Sequence, residues 1–363
     1  MLRDEAMIKL LIVDDSALMR RQLMNFFQAE GDFEIRQARN GEEAVRENRD
    51  FQPDVVTLDI NMPEMDGLTA LSLIMAERPV AVVMVSSLTE QGALVTFEAL
   101  NLGAVDYIVK PGGTISLSID RITEELIAKV RSAARARLRG KTSAATTVVS
   151  RMQEERKKVA KASLAASAAR GAGDGLLVVG ASTGGPRALE IVLSGLPANF
   201  PWPVLVAQHM PAAFTKAFAE RLNQCCALQV VEAGSALPVQ AGKIYIGRGG
   251  ADMVLANRAG KLTVLPMPEN SQYLWHPSVE LLGRSVLEHY DPKHVIAVLL
   301  TGMGYDGSDA FAEIKKRGGR TIAESEESAV VYGMPAELVA KGGASLVLAV
   351  DKVASQLSAW AGR

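Results

Sequence analysis

Twice along this chain, short apolar runs alternate with amphipathic stretches of helical spacing, and that alternation restricts the fold more than any other feature. In the first block the pairs are Ile8 to Val13 then Ser16 to Glu30, Phe33 to Ala38 then Gly41 to Arg49, Val55 to Leu58 then Gly67 to Glu77, Val80 to Val85 then Gly92 to Asn101, and Ala104 to Val109 then Arg121 to Leu138. Strands joined through helices run parallel, because each crossover brings the chain back to the same edge of the sheet. Five βα units therefore predict an open, doubly wound parallel sheet. The alternation resumes at Leu176, Val204, Val295, Thr321 and Leu346, and is interrupted by KIYIG, ADMVLA and KLTVLP, whose spacing predicts antiparallel strands. The second block is accordingly expected to be α/β as well, a parallel sheet with a small antiparallel β insertion.

Between the blocks, from Ser132 to Asp174, aromatics vanish and ten Lys/Arg face three acids in an alanine- and serine-rich stretch. Such a segment buries too little apolar surface to offset its ordering entropy, so it reads as a linker. The expected organisation is a domain over 1–131, a basic linker over 132–174 and a second domain over 175–363. The whole chain of 363 residues carries a net charge of −2, leaving about −9 for the folded parts once the linker's +7 is removed. Nothing there attracts nucleic acid or an anionic membrane, and no helix-turn-helix candidate follows the linker. No apolar stretch approaches the ~18 residues of a membrane span. The start MLRDEAMIKLLIVDD has acids where a signal peptide needs an apolar core. The two cysteines, Cys225 and Cys226, are sequence neighbours and read as thiols in a reducing compartment, so a cytoplasmic setting is expected.

In a parallel sheet the residues just past each strand converge on one edge. In the first block these are Asp14 and Asp15, Asp59, Ser86 and Ser87, and Lys110. Three carboxylates so close repel one another unless a divalent cation binds them, and an all-oxygen donor set suits Mg²⁺. A carboxylate can accept a phosphoryl group when a metal and an ammonium neutralise the transferred oxygens. The roles follow: Asp14 and Asp15 for metal, Asp59 as acceptor, Ser86 as hydrogen-bond donor, Lys110 as countercharge.

In the second block LLVVGASTGG drives an apolar run into Gly180-Ala181-Ser182-Thr183-Gly184, which presents a serine hydroxyl where a buried strand turns into a helix. A serine needs an imidazole to take its proton, and the imidazole needs a carboxylate to fix its tautomer. Of four histidines, His209 ends the run PVLVAQH on the same sheet edge, whereas His276, His289 and His294 lie in loops or corners. VIAVLLTGMGYDG delivers Asp306 on a glycine-rich loop past another buried strand, and its rivals Asp252, Asp291 and Asp309 sit in turns or at a helix start. The order Ser182, His209, Asp306 differs from the Ser, Asp, His order of α/β-hydrolases.

VDDSALMR, LDINMPEMDG, VMVSS and DYIVKP resemble the receiver domain of two-component response regulators. The resemblance implies phosphorylation of Asp59 by a histidine kinase, with the backbone carbonyl of Asn61 joining Asp14, Asp15 and Asp59 around Mg²⁺, and with Tyr107 on the family's aromatic switch position. GASTGGP, AQHMP, the LTGMGYDG loop and VVYGMPAELVAKGG resemble the catalytic domain of the chemotaxis protein-glutamate methylesterases, the CheB family. That resemblance implies a Ser182–His209–Asp306 triad with Thr183 beside the nucleophile and the Met303 amide near the oxyanion. It also implies demethylation and deamidation of chemoreceptor helices, no cofactor for the ester step, and a receiver that restrains the esterase until Asp59 is phosphorylated. One stretch departs: where the family often carries Arg-His-Arg-Pro-Ser-Val-Asp, this chain reads Leu274-Trp275-His276-Pro277-Ser278-Val279-Glu280.

Overall fold

The computed structural model describes residues 7–87, 89–110, 119–136 and 175–362. The chain divides into two compact units, Met1–Gly140 and Lys141–Arg363.

The first unit follows the predicted alternation. Strands β1 (Ile8–Val13), β2 (Phe33–Ala38), β3 (Val55–Asp59), β4 (Ala81–Ser86) and β5 (Asp106–Val109) form one parallel sheet in the order β2-β1-β3-β4-β5. Helices α1 (Ala17–Glu30), α2 (Gly41–Asp50), α3 (Gly67–Glu77), α4 (Glu90–Leu102) and α5 (Ile119–Ala134) connect and flank the strands. β3 and β4 are buried along their whole length because helices cover both sheet faces, which explains their unbroken apolar runs. Sequence also marks where these helices begin: the side chains of Ser16, Asn40, Asp66 and Thr89 each accept from a backbone amide in the first turn. Helix α5 runs to Ala134, so the first residues of the expected linker belong to it. The remainder of that linker, from 137 to 174, lies outside the described residues.

The second unit contains β6 (Leu176–Ala181), α6 (Gly185–Ser194), β7 (Val204–Gln208), α7 (Ala212–Cys225), β8 (Gln229–Ala233), β9 (Leu237–Pro238), β10 (Lys243–Gly247), β11 (Asp252–Arg258), β12 (Lys261–Met267), α8 (Val279–His289), β13 (Val295–Leu299), α9 (Ser308–Lys316), β14 (Arg320–Glu324), α10 (Met334–Ala340), β15 (Leu346–Leu348) and α11 (Val350–Ala361). Seven strands make a parallel sheet in the order β15-β14-β13-β6-β7-β10-β8, and three more make a small antiparallel sheet, β11-β12-β9.

One expectation needs correcting. KIYIG is not part of the antiparallel insertion; as β10 it pairs in parallel with β7 and with β8. Its Ile244 and Ile246 are fully buried and Tyr245 nearly so, which fits a central strand covered on both faces. ADMVLA and KLTVLP do pair antiparallel, with Val254 opposite Leu265. Among the described residues no helix is long and apolar enough to cross a membrane.

Candidate active site and phosphoacceptor site

The nucleophile candidate stands at the end of a central strand. β6 lies between β7 and β13, with Ala181 paired to Gln208 and Gly180 to Leu299. The next residue along each of β6 and β7 is therefore Ser182 or His209, side by side on one rim at about the 4.8 Å spacing of paired strands. The turn is fixed by backbone hydrogen bonds. The Ser182 amide donates to Thr301 O at 3.0 Å, the Gly185 amide to Ser182 O at 2.7 Å, and the His209 amide to Ala181 O at 3.1 Å. Gly184, at φ 76°, lets the chain swing directly into α6, and a Cβ there would stand 2.6 Å from the Val330 Cβ. Gln208 ties the two strand ends together, its side-chain amide donating to Ser182 O at 2.9 Å and to His209 O at 3.0 Å.

Asp306 arrives from the loop after β13, which crosses in front of β6 to reach His209. The His209 Nε2 lies 2.8 Å from Asp306 Oδ2. The carboxylate is 4% exposed and accepts from the Ser278 hydroxyl at 3.0 Å, the Val279 amide at 2.7 Å and the Glu280 amide at 2.9 Å. It therefore sits on the N-terminus of α8, where amide donors and the helix dipole favour negative charge. Burial alone would push its pKa up, but the hydrogen bond and charge of His209 and the α8 amides outweigh it, so the carboxyl is held below its usual value. An ionised carboxylate only accepts, so the ring hydrogen facing Asp306 is on Nε2, and in the neutral imidazole the lone pair is then on Nδ1. That Nδ1 is buried and makes no hydrogen bond among the described residues. The candidate base and the carboxylate that would orient it are thus joined, while the link from Ser182 Oγ to the imidazole is not made in this conformation.

The glycine-rich loop also passes the serine. A Cβ on Gly302 would fall 2.7 Å from the Ser182 Cβ, so the loop packs against the candidate nucleophile one residue before Met303. Thr183 is buried, and its carbonyl accepts from Thr301 Oγ1 at 2.9 Å. Thr301 is itself tied down by Glu324, whose carboxylate accepts the Thr301 amide at 2.8 Å.

The rival residues are occupied elsewhere. His276 Nδ1 lies 2.9 Å from Asp252 Oδ1, and Asp252 also accepts the Ser278 and Asn270 amides. Asp291 accepts the Lys293 amide, Asp309 pairs with Lys341 at 2.6 Å, and His294 is exposed. His289 Nε2 lies 4.0 Å from the carboxylate of its neighbour Glu288. Sequence reasoning missed two residues that touch the site. Trp275 stacks on the His209 ring with centroids 5.7 Å apart and planes at 7°. Ser278 holds Asp306 while accepting the Leu281 amide as the N-cap of α8. The signal for Ser278 was present, a serine immediately before the helical run VELLGRSVLEH. Nothing in WHPS announces the stacking.

The first unit gathers its predicted group on one edge as well. One oxygen from each of Asp14, Asp15 and Asp59 lies within 4.8 Å of the others, Asp14 and Asp59 buried and Asp15 exposed. Lys110 Nζ reaches Asp59 at 2.7 Å and Asp14 at 3.1 Å. Burial raises the Asp59 pKa, and the Asp14 charge adds to this against the opposing Lys110. Burial works against the Lys110 charge, yet the two carboxylates hold its pKa above the usual value. A hard, all-oxygen set with surplus negative charge fits Mg²⁺. The Asn61 amide donates to Asp59 Oδ1 at 3.3 Å, which keeps the Asn61 backbone beside the cluster. Ser86 ends β4, but its hydroxyl is turned inward, accepting from Thr96 Oγ1 at 2.9 Å and lying 3.4 Å from Gly92 O. Tyr107 is buried in β5, its carbonyl accepting from Lys129 Nζ at 2.9 Å.

Both units match families of known proteins. Residues 177–357 match the model of the CheB methylesterase family, and residues 10–119 that of the response regulator receiver domain. The chain is 55% identical over 360 residues to protein-glutamate methylesterase/protein-glutamine glutaminase 3 of Rhodospirillum rubrum, covering 98% of this chain and 97% of that one. It is 46% identical to the protein-glutamate methylesterase/protein-glutamine glutaminase of Caldanaerobacter subterraneus subsp. tengcongensis, covering 96% of this chain and 95% of the relative. The crystal structure of the Thermotoga maritima CheB methylesterase catalytic domain superposes with a TM-score of 0.50 at 38% identity, covering 51% of this chain and 98% of that domain. On these matches, spanning receiver and catalytic domain in one chain, the protein belongs to the CheB family of response-regulator methylesterases.

Proposed function

We propose that the chain hydrolyses γ-glutamyl methyl esters on the cytoplasmic helices of chemoreceptors, and deamidates glutamines there, under control of phosphorylation at Asp59. The observation that carries this reading is the buried, ionised Asp306 fixing His209 through Nε2, with Nδ1 unengaged on the rim that bears Ser182.

Ser182 Oγ attacks the γ-carbonyl of the substrate and gives its proton to His209 Nδ1. The amide of Met303, with Thr183 beside the nucleophile, faces the oxygen that becomes negative, where a preorganised donor is worth about 2.7–4 kcal/mol. Collapse of the tetrahedral species breaks the bond to the leaving oxygen, which takes the proton from His209 and departs as methanol; from glutamine the leaving group is ammonia. Water then gives a proton to Nδ1 as its oxygen attacks the acyl carbon, and collapse breaks the bond to Ser182 Oγ, which takes that proton back as glutamate is released. Asp306 stays ionised throughout and favours the imidazolium that forms. Nucleophile, base and orienting group are all side chains of the chain itself, so the ester step is assigned no cofactor.

In the receiver, Asp14, Asp15, Asp59 and the carbonyl of Asn61 would hold Mg²⁺, which when bound offsets the charge of the transferred phosphoryl oxygens. Asp59 accepts the phosphoryl from a histidine kinase, Lys110 pairs with it, and the Ser86 hydroxyl turns from Thr96 to donate to it. Tyr107 transmits the change, and the phosphorylated receiver releases its restraint on the esterase. The proposed limits are a receiver over 1–131, a tether over 132–174 and the esterase over 175–363, working in the cytoplasm.

Methanol release from methylated receptor fragments tests the reading. The full chain is expected to release methanol, faster with a small phosphodonor and Mg²⁺, and Ser182→Ala to release none while its Asp59 is still phosphorylated. Turnover by Ser182→Ala at the wild-type rate would overturn it.

A further inference from the structure

A single hydrogen bond from Nε2 to Asp306 fixes one end of the His209 imidazole but leaves the ring able to pivot and to flip about its bond to the backbone side. A flip would exchange ring nitrogens for carbons at the positions facing Asp306 and Ser182. The orientation therefore needs something against the flat of the ring. Trp275 supplies it, lying nearly parallel to the imidazole at 7° with centroids 5.7 Å apart.

The indole is itself held in place. Tyr305 packs edge-on against it, with centroids 5.3 Å apart and planes at 82°. On the loop that carries Asp306, Gly304 leaves room for it, since a Cβ there would come within 2.7 Å of the indole. The next residue, His276, is anchored to buried Asp252 at 2.9 Å, and the Ser278 amide donates to the same carboxylate oxygen. One short segment thus touches the face of the base through Trp275 and grips the orienting carboxylate through Ser278, Val279 and Glu280.

Resting on the assignment of Ser182, His209 and Asp306 as a triad, we propose that Trp275 is a positioning residue for catalysis, the wall that keeps the His209 ring in the orientation with Nε2 on Asp306 and Nδ1 toward Ser182. It touches no reacting atom and acts through the imidazole. This is also the position where the sequence departs from the run often found in the family, so the device belongs to this chain's own residues.

The test uses the full chain carrying Trp275→Ala, Trp275→Leu or Trp275→Phe, with methylated receptor fragment as substrate. Phe keeps a flat ring, Leu keeps bulk without one. Trp275→Ala and Trp275→Leu are expected to lower kcat at least about tenfold with KM nearly unchanged, since misplacing a catalytic group by ~1 Å can cost about 10²-fold. Trp275→Phe is expected to recover most of the rate. Nitrogen-15 NMR of histidine-labelled protein, with His209 identified by its loss in His209→Ala, gives an independent readout. A single Nε2–H tautomer is expected in wild type and Trp275→Phe, and a mixture in the other two, while the His276 signals stay fixed and report that the fold is intact. Wild-type kcat in Trp275→Leu, a loss confined to KM, or an unchanged single tautomer in both truncations would overturn the proposal. If even wild type releases no methanol, the esterase reading fails, and the tautomer measurement still decides the role of Trp275.

Discussion

Replacing Ser278 by Ala separates two functions that one oxygen performs. The hydroxyl donates to Asp306 Oδ1 at 3.0 Å and accepts the Leu281 amide at 3.2 Å as the N-cap of α8. Loss of an N-cap costs about 1 kcal/mol, with a range of about 0.5–2. A hydrogen bond to a charged, buried carboxylate contributes about 1.5–3 kcal/mol. The two share an atom and do not add independently, so we expect a loss of about 2–3 kcal/mol. For a folded unit of this size that lowers the midpoint of its calorimetric transition by about 4–12 °C. Activity should suffer less. Asp306 keeps the Val279 and Glu280 amides and its bond to His209, so kcat should fall by no more than about tenfold. Asp306→Asn, which removes the charge that fixes the tautomer, should by comparison cost about 10⁴-fold, by analogy with serine protease triads. Ser278→Thr keeps both bonds and should restore most of the stability. An unchanged transition in Ser278→Ala, or a kcat loss as large as that of Asp306→Asn, would refute this account of how the carboxylate is held.

Three more outcomes follow from the same geometry. The bond to His209 and the α8 amides hold the Asp306 carboxyl below its usual range in the folded state, so its contribution to stability is fully present above the ordinary carboxylate pKa and drains as pH falls through the lower native one; the stability gap between wild type and Asp306→Asn should narrow in strong acid, in titrations followed by calorimetry. Lys110→Met strips the ammonium from Asp14 and Asp59, which should cost toward the lower end of about 3–5 kcal/mol without metal and be partly restored by Mg²⁺, read by thermal denaturation with and without EDTA. Asp59→Asn should abolish the stimulation of methanol release by a phosphodonor; stimulation that survives would place the acceptor elsewhere.

The sheets and the positions of most candidate residues were legible because they share one signal. An apolar run long enough for a strand, ending in a polar residue, fixes both the strand and the edge on which that residue lies, and Asp59, Ser182 and His209 were all placed at strand ends this way. Asp306 needed more, because it stands several residues beyond β13 and reaches His209 only because the loop folds back over β6. KIYIG misled because IGRGGADMV looks like a hairpin turn between two apolar runs. In fact the chain leaves the parallel sheet there and begins a separate antiparallel one. β8 went unnoticed because QVVEA, with a polar residue at its exposed start, has the weak pattern of an edge strand. The contacts of Trp275 were beyond sequence reasoning altogether, since an irregular loop has no periodicity from which to infer where a side chain points.

The central claim is that His209 activates the hydroxyl of Ser182. Treating the full chain with a fluorophosphonate, followed by peptide mapping, measures this without any receptor substrate. The adduct is expected on Ser182, at a rate that collapses in His209→Ala. An adduct on a different serine, or labelling of Ser182 that is indifferent to the loss of His209, would contradict the account.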